Sequence, residues 1–138
     1  MDSARLDRVR AIFSAFEREE LAELAELVGP RFEFHAVTAR LLGKEGPYIG
    51  SQGIGEYLAD VSRAWEELQL TQNSFEERGD HVLVIGRVWG RDTQSITDSP
   101  AGWMWKFDGD EPVECHVYQS SEEAHEHFLR AAGREAED

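Results

Sequence analysis

AGWMWKFDGDEPVECHVYQ, residues 101–119, reads as two β-strands joined by a tight turn at Asp108-Gly109-Asp110. Side chains alternate across a strand, so Trp103, Trp105 and Phe107 share one face of the first arm. On the returning arm Val113, Cys115, Val117 and Gln119 are expected to point the same way, and Glu114, His116 and Tyr118 the opposite way. The first set is the more apolar and is expected inside. Three large rings on one face either fill a core or wall a cavity for a flat apolar molecule, with Gln119 as a polar handle.

The same two-residue rhythm runs back from this hairpin. Residues 68–78, 81–92, 99–108 and 111–119 read as four long strands, with Gly79-Asp80 marking another hairpin turn. The stretch Asp92–Ser99 is polar and reads as a longer connection. Gly86 and Gly90 within the second strand predict curvature. Leu83, Ile85 and Trp89 alternate onto the face opposite the tryptophans, an apolar patch that predicts a homodimer through the outer sheet face. Arg87 and Arg91 lie among them and are expected to pair with Glu114, within the sheet or across the dimer.

Upstream the period is helical. Leu6, Val9, Ile12, Phe13 and Phe16 recur at steps of three and four over residues 2–18, with Asp2 or Ser3 as cap. EELAELAELV continues as a second short helix that Gly29-Pro30 ends. RFEFHAV alternates as a half-buried strand, with Phe32, Phe34 and Ala36 on one side and Arg31, Glu33 and His35 on the other. LLGKEGPYIGSQG is loop with room for a short strand piece. From Ser51 a third helix carries Ile54, Tyr57, Leu58, Val61, Trp65 and Leu68 on one stripe. Ser120 or Ser121 opens a last helix that Gly133 closes, leaving 134–138 as a disordered tail. Helices segregated from antiparallel strands define an α+β class. The expected architecture is one domain over 1–133, a curved antiparallel sheet with helices packed on its concave face, forming a cone.

Bulk composition narrows the partners. A chain of 138 residues with 41% hydrophobic residues supports a packed core in one domain. The formal net charge of −14 disfavours nucleic acid and anionic membrane as partners. No apolar run approaches the roughly 18–20 residues of a membrane helix, and the N-terminus carries no secretory pattern, so a cytoplasmic location is expected. The single cysteine excludes an internal disulfide framework.

Four stretches together resemble the SnoaL-like branch of the nuclear-transport-factor-2-like superfamily: RAIFSAFEREELAELAELVGPRFEFHA, PYIGSQGIGEYLADVSRAWEEL, GDHVLVIGRVWGR and WKFDGDEPVECHVYQSSEEAHE. The resemblance implies a cone-shaped, cystatin-like α+β barrel with a pocket between helices and sheet, and a homodimer. It spans isomerases, cyclases, dehydratases, hydrolases and non-catalytic binders, so fold alone does not assign an activity. Its ketosteroid isomerase relatives use a carboxylate base on the first strand and an oxyanion hole made by a tyrosine and a second carboxyl group. Those positions fall on Phe34, near Ile12 and on Trp103 here. All three are apolar, and a phenyl ring takes no proton, so that mechanism does not carry over.

The expected ligand wall comprises Phe16, Phe34, Trp65, Trp103, Trp105, Cys115 and Gln119. The candidate acid/base groups are His116 and Tyr118, should the hairpin phase slip by one residue, with His35 or Glu33 at the mouth. Cys115 has its sequence neighbour His116 on the opposite face and reads as a small buried hydrophobe. His125 and His127 point about 200° apart on a helix and cannot share a metal. No metal site and no cofactor are expected, and the expected partner is a small apolar molecule. The function read from the sequence is binding of such a molecule in the cone, with cofactor-free isomerase, cyclase or dehydratase chemistry one form of it. The alternative is a dimeric, non-catalytic ligand-binding or interaction module.

Overall fold

The computed structural model describes residues 4–35 and 47–137, the last five of these by backbone alone. The elements follow the expected order: α1 (Ala4–Glu17), α2 (Leu21–Val28), β1 (Glu33–His35), β2 (Tyr48–Ile49), α3 (Gly50–Ala64), β3 (Glu67–Arg78), β4 (His81–Arg91), β5 (Ile96–Asp108), β6 (Glu111–Tyr118) and α4 (Ser121–Glu137). The fold is the α+β architecture expected from the sequence. The cap expected at Asp2 or Ser3 and the strand residues beyond His35 lie outside the described residues.

Local chemistry accounts for the element ends. Gly29 takes φ 79° and returns its N–H to the Ala25 carbonyl, which stops α2. α3 starts at Gly50 rather than from a Ser51 cap, and no side chain caps it. Its first N–H donates to the Phe32 carbonyl at 2.6 Å, which ties the helix start to the strand region. Ser120 caps α4 as expected, its Oγ accepting from the Glu123 N–H at 3.2 Å. The backbone of α4 continues past Gly133, where the sequence places its end, to Glu137.

Six strands form one open sheet in the order β2-β1-β6-β5-β4-β3. Four of its five pairings are antiparallel, and β1 runs parallel to β6 with Phe34 opposite Cys115 and His35 opposite His116. The expected antiparallel sheet is thus mixed at one pair, because β1 enters from the helical half instead of by a hairpin. A bulge between Gln72 and Ser74 interrupts β3 opposite Gly86. A second, between Lys106 and Phe107, sets Phe107 opposite Pro112. Pro112 is therefore buried, while Val113, expected inside, is half-buried.

The helices divide between the two faces. α1, α2 and α3 cover the face that carries Val82, Val84, Trp103, Trp105 and Phe107. α4 lies on the other face, where Ala124, Phe128 and Ala132 pack with Leu83 and Tyr118 and against Ile85 and Met104. That corrects the expectation of helices on the concave face alone. Gly102 makes it possible: a Cβ there would fall 2.3 Å from the Cβ of Ala124. The chain's own helix thus covers much of the apolar patch that the sequence assigned to a second subunit.

Within the sheet, Arg87 and Arg91 do not pair with Glu114, because β5 separates β4 from β6. Arg87 instead meets Asp98 at 2.9 Å, and Arg91 meets Glu66 at 3.0 Å. Among the described residues no helix is long and apolar enough to cross a membrane.

Candidate functional site

Between the three helices and the sheet lies a cavity of about 430 Å³. That size falls within the range of small-molecule sites, roughly 300–1,000 Å³. Alternation on β5 builds one wall: Thr97, Ser99, Ala101, Trp103 and Trp105 all border it. Phe13 on α1 meets both indoles edge-on, at 5.0 Å from Trp103 and 5.9 Å from Trp105. Phe32 stacks on Trp105 at 5.9 Å. Opposite, Tyr57 on α3 lies between Phe16 and Phe34, with ring centroids 5.7 and 4.6 Å away. Trp65 packs against Gly90, the strand partner of Thr97, where a Cβ would come within 2.8 Å of the indole.

The interior is aromatic and the rim is polar. Gln119, at the end of β6, and Asp92, Thr97 and Ser99, at the β4–β5 turn, border the opening. Among the described residues that border the cavity, Asp92 is the one carboxylate. Its Oδ1 accepts from the backbone N–H groups of Gln94 and Ser95, at 2.7 Å each. Those two bonds hold its carboxyl below the usual carboxylate range, so it is an ionised, weakly basic group. Deeper in the wall, the Trp105 indole N–H is buried with no hydrogen-bond partner among the described residues. Native proteins leave few such donors unpaired, and each costs about 1–3 kcal/mol.

The structure sorts the residues named from sequence into two groups. Phe16, Phe34, Trp65, Trp103, Trp105 and Gln119 all border the cavity. Cys115 does not: it is fully buried behind the wall, between Phe34 and Trp105 on the neighbouring strands. Burial pushes its thiol pKa well up, which removes it as a nucleophile as well as a ligand contact. The three positions that the resemblance equates with ketosteroid isomerase groups, Ile12, Phe34 and Trp103, converge on this one cavity. They bring no proton-transferring group to it.

The expected acid/base residues lie elsewhere. His35 and His116 stack on each other on the outer face, ring centroids 4.2 Å apart and planes within 4°. Neither borders the cavity, so neither exchanges a proton with a molecule inside it. The expectation of His35 and Glu33 at the mouth fails for the same reason: the parallel register with β6 puts them beside Glu114 and His116. Tyr118 borders the cavity, but its hydroxyl turns away to His127 Nδ1 at 3.2 Å, against α4. Burial raises its pKa. A phase slip that would carry His116 and Tyr118 inward does not occur.

The residues named from sequence include Gln119 but leave out the rest of the polar rim: Thr97 falls in the expected connection and Ser99 at its junction with the strand, yet both continue the phase of Trp103 and Trp105. Extending the two-residue count back from the tryptophans would have found them.

A family model described as SnoaL-like domain matches residues 9–119. No curated protein sequence matches the chain. Among solved structures, TerC co-crystallized with polyporic acid superposes with a TM-score of 0.78 at 20% identity, covering 90% of this chain and 97% of that one. An NTF2-like protein of unknown function from Burkholderia pseudomallei gives 0.78 at 18% identity, covering 95% and 98%. A protein with a ketosteroid isomerase-like fold from Catenulispora acidiphila, in complex with trimethylamine, gives 0.70 at 17%, covering 91% and 92%. At these identities the likeness is one of fold.

Proposed function

The chain belongs to the SnoaL-like domain family, and from that premise we propose that it binds a flat, apolar small molecule carrying a hydrogen-bond acceptor. One observation carries this reading: a cavity of about 430 Å³ walled by rings, with an unpartnered indole N–H in the wall and polar groups confined to the rim. Rings of this kind give large contact area at little entropic cost, and a ligand acceptor that reaches the buried Trp105 N–H would satisfy it. TerC, a similar fold co-crystallized with polyporic acid, supports the choice of ligand class.

Binding without acid/base catalysis is favoured because the interior offers no carboxylate or histidine among the described residues. An isomerase or cyclase reading rests on Asp92 at the rim, the one group there able to take a proton. The reducing interior of a cell is the proposed setting, and a homodimer the proposed assembly, through the part of the outer face near Trp89 that α4 leaves open.

Tryptophan fluorescence tests the ligand site. Titration with planar aromatic compounds that carry a carbonyl is expected to quench emission saturably, and Trp105→Phe to weaken binding about 5–10-fold through loss of one hydrogen bond. A flat response across the panel overturns the site. Turnover of a bound compound that Asp92→Asn abolishes would replace the binding reading with the catalytic one.

A further inference from the structure

Outside the cone, on the opposite face of the sheet, two short sequences repeat: Glu33-Phe34-His35 on β1 and Glu114-Cys115-His116 on β6. Both place a glutamate and a histidine two residues apart, and so on the same side of their strands. The strands are adjacent, parallel and in register, Glu33 opposite Glu114 and His35 opposite His116. Neighbouring strands lie about 4.8 Å apart, so the four side chains form a compact rectangle. The residues between them, Phe34 and Cys115, are buried on the inner face.

The donor atoms converge. One ligand atom each from His35, Glu114 and His116 lie within 4.8 Å of one another. His116 Nε2 is 3.4 Å from Glu114 Oε1, and His35 Nε2 is 3.5 Å from Glu33 Oε1. A tetrahedral ion with bonds of about 2.1 Å needs donor separations of about 3.4 Å. His35 Nε2 is itself buried and has no hydrogen-bond partner among the described residues. That nitrogen has Glu33 Oε1 at 3.5 Å, and its ring lies face to face with that of His116.

We infer that His35, His116 and Glu114 form a binding site for a divalent transition-metal ion, with Glu33 beside His35. Two imidazoles and a carboxylate suit Zn²⁺, Co²⁺, Ni²⁺ or Cu²⁺, whereas Mg²⁺ and Ca²⁺ prefer all-oxygen shells. The side chains of His35 and His116 are 34% exposed and that of Glu114 is 32% exposed, so the cluster lies at the surface, although His35 Nε2 itself is buried and opens to an ion only as the rings move. Binding requires the stacked imidazoles to tilt apart, since their in-plane lone pairs must meet at one point. The ion then staples the three-residue strand β1 to β6 across the sheet's one parallel pairing. Nothing in this site depends on what the cone holds.

The test is Co²⁺ titration of the full chain, free of any histidine tag, followed by visible absorption. One equivalent is expected to bind with d–d bands of low coordination number. His35→Gln and His116→Gln are each expected to weaken binding at least about tenfold, the loss that even outer-shell changes produce at metal sites. His125→Gln is expected to change nothing. Glu114→Gln, at a half-exposed position, gives a second ligand deletion should a histidine variant fold poorly. Failure to saturate by about 1 mM Co²⁺ overturns the site, as does unchanged affinity in the His35→Gln/His116→Gln double variant.

Discussion

The two faces of the sheet are made by the same strands and do opposite things. Phe34, Cys115 and Trp103 point toward the helices, and one residue along each strand His35, His116 and Met104 point away. The inner face encloses a cavity of about 430 Å³ with its titratable group at the rim. The outer face carries paired histidines and glutamates and is partly sealed by α4. A one-residue alternation thus separates an aromatic binding wall from an ionisable cluster. Among the described residues, the interior of the cone carries no carboxylate or histidine, and the histidine cluster lies on the open outer face. That separation fits the binding role proposed for the cone, because desolvation tunes a proton-transfer group only where one is enclosed.

Substitutions on the two faces are expected to differ in size. Trp103→Ala removes a ring that Phe13 packs against at 5.0 Å, at a position 4% exposed. Loss of a buried Trp costs about 3–5 kcal/mol; because the ring already borders open space, the lower end is expected in urea unfolding. A cost below about 1 kcal/mol would mean that the inner wall is not structural, and the contrast between faces would weaken. Gly102→Ala tests the outer face. The new methyl overlaps Ala124, and overpacking of this kind costs about 1–3 kcal/mol. Gly102→Ala combined with Ala124→Gly is expected to recover most of that loss, which places the strain between β5 and α4 and nowhere else.

The strand and helix periods carried most of this architecture. Trp103 and Trp105 are inward because β5 keeps its alternation from Thr97 to Trp105. The sequence did not show the placement of α4. Its apolar stripe, Ala124, Phe128 and Ala132, fits either face, and Gly102 becomes decisive only when its neighbour is known. The histidine cluster was hidden for another reason. Glu33-Phe34-His35 and Glu114-Cys115-His116 are 81 residues apart in the chain, since 114 − 33 = 81. Only the parallel pairing of β1 with β6 brings them together. The bulge at Lys106/Phe107 was equally invisible, and it moved Val113 off the inner face.

The smallest expected effect concerns charge on the outer face. Burial first, and then the neighbouring His35, hold the pKa of His116 below the ordinary histidine value; Glu114 and Glu33 pull the other way. An unfolded histidine takes up its proton near pH 6.5. Below that pH the unfolded chain therefore binds more protons at this residue than the folded chain does. Stability falls as pH drops through about 6.5 and stops falling from this source once the folded His116 also protonates. Urea unfolding in chelator-treated buffer between pH 7.5 and 5 is expected to show that decline. His116→Gln should flatten it, and His35→Gln should flatten it in part by removing the second cause. A rise in stability on acidification, lost in Glu114→Gln, would show instead that the carboxylates dominate and that the stacked pair is held charged. The two faces would then differ in polarity but not in their tolerance of charge.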